Sequence, residues 1–113
     1  MDFGFKVAIG ARRDLLGIWK YIAENDSIAA TGFCAELMKS AESLRVLPQR
    51  HPVVRGRPGI RKLPHEAYII FYKIHDKDRV VEILRFWHAA RDQRRLRLKE
   101  ETTQPYQVAK LEA

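Results

Sequence analysis

The chain has 113 residues, 46% of them apolar and 31% charged, with 21 Lys and Arg against 14 Asp and Glu for a net charge of +7. This composition is typical of a single soluble globular domain and excludes a disordered chain, and no apolar run approaches the roughly 20 residues of a membrane-spanning helix. The positive charge favours an acidic protein or a polyanion as partner.

The N-terminal half predicts a strand followed by two helices. Residues 5–9 are a strand candidate, and residues 11–24 carry apolar side chains at three- and four-residue steps, which predicts a helix. Ser27 is a good N-cap for a second helix, whose apolar stripe runs from Ala30 to Leu47 and stops at Pro48. Cys34 lies in that stripe, so we expect a buried thiol without a disulfide or a metal.

Two basic segments follow the helices and the last strand. Residues 50–62 contain five Lys and Arg and no acidic residue, and residues 91–99 are also rich in Arg. A guanidinium can hold a carboxylate or a phosphate through two hydrogen bonds, so the abundance of Arg favours recognition. Ordinary solvated surface is the alternative for both segments.

Residues 67–87 predict a β-hairpin. Two runs rich in Ile, Val, Tyr and Phe, residues 67–74 and 80–87, flank a short polar connector. Both faces of the first run are apolar, which is typical of a central strand covered on both sides. In the second run, strict alternation places Ile83, Arg85 and Trp87 on one face.

The order of these elements predicts an α+β fold, in which an antiparallel helical hairpin covers one face of a small, mostly antiparallel sheet. We expect one domain over residues 1–92 and a polar C-terminal extension over residues 93–113 that is partly helical or loosely ordered. No cofactor is expected, and the cytoplasm is the expected location because the chain starts without a recognisable signal peptide.

Four motifs follow one another along the chain: Ala11-x-x-Asp14-Leu15-x-x-Ile18-x-x-Tyr21-Ile22, Gly59-Ile60-Arg61-Lys62-Leu63, Tyr68-Ile69-Ile70-Phe71-Tyr72, and Val81-Glu82-Ile83-Leu84-Arg85 running into His88-Ala89-Ala90-Arg91-Asp92. Together they resemble the ParE/RelE superfamily of bacterial type II toxins, and its ParE branch in particular. The resemblance implies a bacterial toxin that is neutralised by an antitoxin with an acidic, amphipathic C-terminal segment. It also implies a higher-order toxin–antitoxin complex.

The resemblance leaves two targets, because ParE-type toxins inhibit DNA gyrase whereas RelE-type relatives cleave messenger RNA on the ribosome. Metal-free RNA cleavage needs a proton acceptor, a proton donor and cations around the phosphate. Arg61, Arg85, His88 and Arg91 are the candidate set for a ribonuclease. RelE-like nucleases typically add a tyrosine just beyond the last strand, and residues 86–99 contain none. We therefore expect a gyrase inhibitor that acts by protein binding, with no catalytic residues and no enzyme activity.

The residues expected to contact the target or the antitoxin are Arg55, Arg57, Arg61, Tyr72, Arg85, Trp87, His88 and Arg91. Each has a structural alternative. Tyr72 and Trp87 are expected in the core if they do not bind a partner, and His88 could cap the strand exit. Arg85 should be half buried beside a carboxylate, either from the antitoxin or from within the chain, such as that of Glu66. A third hypothesis for the function of the whole chain is a basic module that binds nucleic acid and is not toxic.

Overall fold

Six regular elements make up the part of the chain described by the structure, a computed structural model that describes residues 2–98. They follow in the order β1 (Gly4–Val7), α1 (Ile9–Ala23), α2 (Ser27–Glu42), β2 (Ile60–His65), β3 (Tyr68–His75) and β4 (Val80–His88). Short 3-10 turns lie at Ser43–Arg45, Pro48–Arg50 and Gln93–Arg95. The rest of the predicted extension, from residue 99 onward, lies outside the described residues.

The strands form one sheet in the order β1-β4-β3-β2. β4 pairs with β3 and β3 with β2 in antiparallel register, while β1 adds to the other edge of β4 in parallel. The helices pack against one another and lie on one face of this sheet. The predicted α+β fold is therefore confirmed. None of the helices within residues 2–98 has the length and apolar character to cross a membrane.

Asp26, and not Ser27, caps the second helix. The backbone of Asp26 is extended, and its carboxylate accepts hydrogen bonds from the amides of Ile28 and Ala29 at 3.0 Å each. The prediction of Ser27 as the cap was wrong by one residue, because Ser27 already takes helical geometry. The helical hairpin is further tied by Trp19 Nε1, which donates to Thr31 Oγ1 at 3.1 Å.

A β-bulge at Leu84 changes which side chains of β4 share a face. Ile83 lies opposite Tyr72 and Arg85 lies opposite Phe71, so Leu84 is an extra residue in β4. Ile83 therefore faces the helices, whereas Trp87 packs on the opposite face beside Leu84. The strict alternation predicted from the sequence was wrong beyond this point.

Both faces of the sheet are buried, as the two apolar faces of β3 indicated. The core on the helical face includes Leu37 and Tyr72 and continues along β1 and β4. The core on the second face combines side chains from the loop after α2, from β2 to β4, and from the segment after β4: Val54, Ile60, Ile69, Phe71, Leu84, Trp87, Leu96 and Leu98. A cover of irregular chain on this second face was not predicted.

Candidate functional site

Arg85 and Asp14 form a nearly buried ion pair beside β4, with side chains 15% and 12% exposed. Arg85 Nε and Nη2 donate to the two carboxylate oxygens of Asp14 at 2.6 and 2.9 Å, and the amide of Phe86 donates to the same carboxylate at 3.0 Å. The pairing of β4 with β1 ends at Ile83, opposite Val7. Beyond that point the amide of Phe86 in β4 is therefore satisfied by the Asp14 side chain of α1. The internal carboxylate expected beside Arg85 is thus that of Asp14, whereas Glu66, the example named from the sequence, is not its partner.

Trp87 belongs to the core of the second face. Its ring is almost fully buried, and the guanidinium of Arg91 lies 3.9 Å from the ring centroid and that of Arg85 at 5.1 Å. The indole Nε1 donates to Arg91 O at 3.2 Å. The two guanidinium groups lie over the aromatic ring in cation–π contacts. The buried Trp87 side chain therefore holds the chain that follows β4 in place.

His88 borders a surface groove of about 400 Å³ between α1 and the end of β4. Its lining comprises Arg13, Asp14, Gly17, Ile18, Tyr21, Tyr68, Phe86, His88 and Arg91. The Nδ1 atom of His88 accepts the amide hydrogen of Ala90 at 3.1 Å, so the neutral ring carries its proton on Nε2. With Nδ1 engaged by the Ala90 amide, Nε2 is the ring nitrogen that is left to contact a ligand in the groove.

Arg61 and Tyr72 lie opposite one another on β2 and β3 and hold the chain that follows α2. The hydroxyl of Tyr72, which is fully buried, donates to Pro48 O at 2.6 Å. Arg61 Nη1 donates to the carbonyls of His51 and Gln49 at 2.6 and 3.2 Å. Burial raises the pKa of the Tyr72 hydroxyl, which therefore stays protonated as a donor.

Arg55 and Arg57 are close in sequence but differ in their contacts. Arg57 Nη2 donates to Gln93 O at 3.1 Å and to Leu96 O at 2.9 Å, so it fastens the segment after β4 to the basic segment of residues 50–62. Arg55 is exposed. Of the two, Arg55 is the exposed one and therefore the one available to a partner.

The eight predicted contact residues therefore fall into separate groups. Arg85, Trp87, His88 and Arg91 meet at the end of β4, while Arg61 and Tyr72 support the chain after α2, Arg57 holds the segment after β4, and Arg55 is exposed. Arg61 is two strands away from β4, which is roughly 10 Å at the usual strand spacing. The four candidate ribonuclease residues do not form one centre. No group of three or more His, Cys, Asp or Glu side chains within residues 2–98 is arranged to hold a metal ion.

A second, more apolar groove of about 610 Å³ lies beside β1, the terminal strand of the described sheet. We call it the helix groove; it is lined by Phe5, Val7, Arg12, Leu15, Leu16, Trp19, Cys34, Met38 and Glu42. Leu16 is 54% exposed there. Burial raises the pKa of the Cys34 thiol, in keeping with its predicted place in the core.

Sequence reasoning missed several residues at these sites. Asp14 was part of the α1 motif, but its pairing with Arg85 spans 71 positions of sequence and no local spacing signals it. Arg13 and Tyr21 reach the His88 groove from the exposed side of α1. The exposed Leu16, next to the apolar stripe, was the available signal for the helix groove.

Comparison with known proteins gives one family and one fold. The model of a family described as "ParE toxin of type II toxin-antitoxin system, parDE" matches residues 6–93. The chain is similar to the RelBE2 toxin–antitoxin complex from Mycobacterium tuberculosis, at 25% identity and a TM-score of 0.60, over 78% of this chain and 99% of that chain. It is also similar to a chromosomal ParDE toxin–antitoxin system from P. aeruginosa, at 21% identity and a TM-score of 0.66, over 76% of this chain and 95% of that chain. No curated protein matches at a comparable level of significance.

Proposed function

Because the chain belongs to the ParE toxin family of type II toxin–antitoxin systems, we propose that it inhibits DNA gyrase in the bacterial cytoplasm by protein–protein binding. A cognate antitoxin neutralises it by occupying the helix groove. The toxin performs no covalent chemistry in this scheme and needs no cofactor.

One observation supports gyrase binding over RNA cleavage: the candidate catalytic residues are engaged within the protein. Arg85 is bound to Asp14, and Arg61, which lies on β2, is bound to the backbone carbonyls of Gln49 and His51. The lone pair of His88 Nδ1 is also engaged. RNA cleavage requires a base near the 2′-hydroxyl and cations gathered on one phosphate, and Arg61 and Arg85 do not supply such cations in this arrangement.

The helix groove suits an amphipathic segment of the antitoxin. Its floor is apolar, its rim carries Arg12, and it runs beside β1, whose outer edge pairs with no other described strand. An apolar face of a partner helix can fill such a groove, and an extended segment can add to a terminal strand. The RelBE2 and ParDE neighbours are toxin–antitoxin assemblies, which supports a cognate antitoxin as the partner.

The antitoxin assignment is tested by co-purification with the protein encoded by the adjacent reading frame. Leu16→Glu places a charge in the helix groove and should abolish co-purification, whereas Lys77→Glu, in the exposed turn between β3 and β4, should not. Unchanged co-purification of Leu16→Glu would contradict the assignment.

The target is tested by two assays with the purified protein: gyrase-catalysed supercoiling and in vitro translation. We expect loss of supercoiling and normal translation. Cleaved messenger with normal supercoiling would contradict gyrase inhibition.

A RelE-like, ribosome-dependent mRNA endonuclease is the second candidate, and the His88 groove favours it. Arg13, Arg91, His88 and two tyrosines surround that groove, and cations with hydroxyl groups can bind a phosphate. In this case His88→Ala and Arg91→Ala would each suppress cleavage of messenger in the translation assay. Under gyrase inhibition neither variant has any cleavage to suppress.

The third hypothesis is a basic module that binds nucleic acid without toxicity. It predicts an affinity for free DNA that falls steeply as the salt concentration rises. Direct gyrase inhibition requires no such affinity. DNA binding measured at several salt concentrations, beside growth after induction of the chain, separates these two readings.

A further inference from the structure

Three aliphatic side chains stand exposed on the chain that leads from α2 to β2. Leu47 is 70% exposed, Val46 50% and Val53 46%. We call residues 46–53 the apolar loop. None of its residues lines the helix groove or the His88 groove, so it is a separate surface.

Leu47 is exposed and also conformationally strained. Its backbone is left-handed, with φ 46° and ψ 56°, a region that bulky L residues rarely adopt and that Gly and Asn adopt readily. Burial does not explain a leucine at a site where most of the side chain is in water. Neither packing nor backbone geometry selects leucine here, and such strained positions concentrate at functional sites.

The backbone of the apolar loop is nevertheless fixed by hydrogen bonds from side chains. Tyr72 Oη donates to Pro48 O at 2.6 Å, and Arg61 Nη1 donates to His51 O at 2.6 Å. Arg50 donates to the carbonyls of Val46 and Leu47 and, through Nη2, to Ser43 O. A surface fixed before binding loses little conformational entropy when a partner docks.

The charge around the apolar loop selects an acidic partner. Between Glu42 and Glu66 the sequence contains six Lys and Arg residues and no acidic residue. Arg50 and Arg55 are exposed there. Cations around an apolar centre complement an acidic surface with an apolar pocket.

From these observations we propose that the apolar loop is the surface that contacts the target, with Leu47 inserted into an apolar pocket on an acidic face of the target protein. The inference rests on the proposed function, since it takes gyrase as that protein. The antitoxin occupies the helix groove instead, so the two partners use surfaces that share no residue.

The central test is Leu47→Asn, because asparagine suits the left-handed backbone but removes the apolar side chain. The variant should unfold at the same or a higher temperature and still bind the antitoxin. It should need about 10- to 30-fold more protein for half-inhibition of supercoiling, as expected when an interface anchor is lost. Leu47→Met, which keeps an apolar side chain, should inhibit like the wild type.

Two matched controls separate the apolar loop from general surface effects. Ile28→Asn removes an 84% exposed side chain from the first turn of α2, outside both grooves, and should leave inhibition unchanged. Arg55→Glu should weaken inhibition and Lys20→Glu on α1 should not, although both reverse an exposed positive charge.

The outcomes distinguish the two proposals. If the wild type inhibits supercoiling and Leu47→Asn inhibits equally well, the inference is wrong and the proposed function stands. Loss of antitoxin binding in Leu47→Asn would assign the apolar loop to the antitoxin and also overturn the inference. A wild type that leaves supercoiling intact would overturn the proposed function, and the inference with it.

Discussion

The two faces of the sheet are buried by different means. The helical face is covered by α1 and α2, whose side chains interlock with β1, β3 and β4. The second face is covered by Val54 from the chain between α2 and β2 and by Leu96 and Leu98 after β4, all in irregular chain. Side-chain donors hold this cover: Arg57 binds two carbonyls of the segment after β4, and Arg85 Nη1 donates to Arg97 O at 3.3 Å.

This difference shows how the basic residues are divided between structure and surface. Arg57 and Arg61 donate to backbone carbonyls, and Arg85 donates to the carboxylate of Asp14. These side-chain hydrogen bonds replace the backbone hydrogen bonds of helices and strands, which the cover of the second face and the chain after α2 lack. Arg55 remains exposed, whereas Arg50 is exposed and also donates to carbonyls of the apolar loop. A positive net charge alone does not reveal which arginines belong to which group.

The largest effect is expected from truncating the helical face. Leu37 is fully buried between α2 and the sheet, and Leu37→Ala should lower the free energy of unfolding by about 3 to 4 kcal/mol through lost burial and a cavity. Urea denaturation followed by circular dichroism measures this change. All slowly exchanging amides of the sheet should lose protection together, because this core joins both helices to three strands.

Asp14→Ala should lower the free energy of unfolding slightly less than Leu37→Ala does, by about 3 kcal/mol. The variant leaves the Arg85 guanidinium without its carboxylate partner but keeps its hydrogen bond to Arg97 O. Urea denaturation again gives the value. Asp92→Ala is the control: Asp92 pairs with Arg94 in solvent, and its loss should change the unfolding free energy far less. Equal losses in the two variants would show that the buried pair is no more important than an exposed one.

Leu96→Ala tests the second face and should cost about 2 kcal/mol. The effect should be smaller than that of Leu37→Ala and partly local, since irregular chain can detach while the helical core persists. Hydrogen exchange should therefore show faster opening of the segment after β4, with the helices still protected. Arg57→Gln, which loses the paired carbonyl bonds, should give the same local pattern. Global loss of protection in either variant would mean that both faces unfold as one unit.

The sequence predicted the helical face better than the second face for a physical reason. The apolar stripe of α1 and α2 and the two apolar faces of β3 are periodic, and periodicity reports burial directly. The bulge at Leu84 breaks that periodicity, and nothing in residues 80–87 marks it, so the face of Trp87 was predicted wrongly. The partner of Arg85 and the role of Leu96 depend on contacts between distant parts of the chain. The positive φ of Leu47 likewise depends on the hydrogen bonds around it, and leucine gives no local signal for it.

The smallest effect is expected from Tyr72→Phe, which tests the support of the apolar loop. Removing the hydroxyl leaves Pro48 O without its donor and should cost about 1 kcal/mol. The cost should depend on pH in a defined direction. Burial raises the pKa of Tyr72, so the folded state holds this proton more tightly than the unfolded state does, and the stabilisation is complete below about pH 10.

As pH rises through the raised pKa of Tyr72, the wild type loses stability that the phenylalanine variant never had. The difference in unfolding free energy between the two proteins should therefore be largest near about pH 8 and should narrow above about pH 10. Burial also raises the pKa of Tyr68 and Cys34, but both are present in both proteins and cancel in the difference. A difference that grows with pH would mean that Tyr72 is held as the phenolate, and that the apolar loop is anchored by charge and not by the hydroxyl donor.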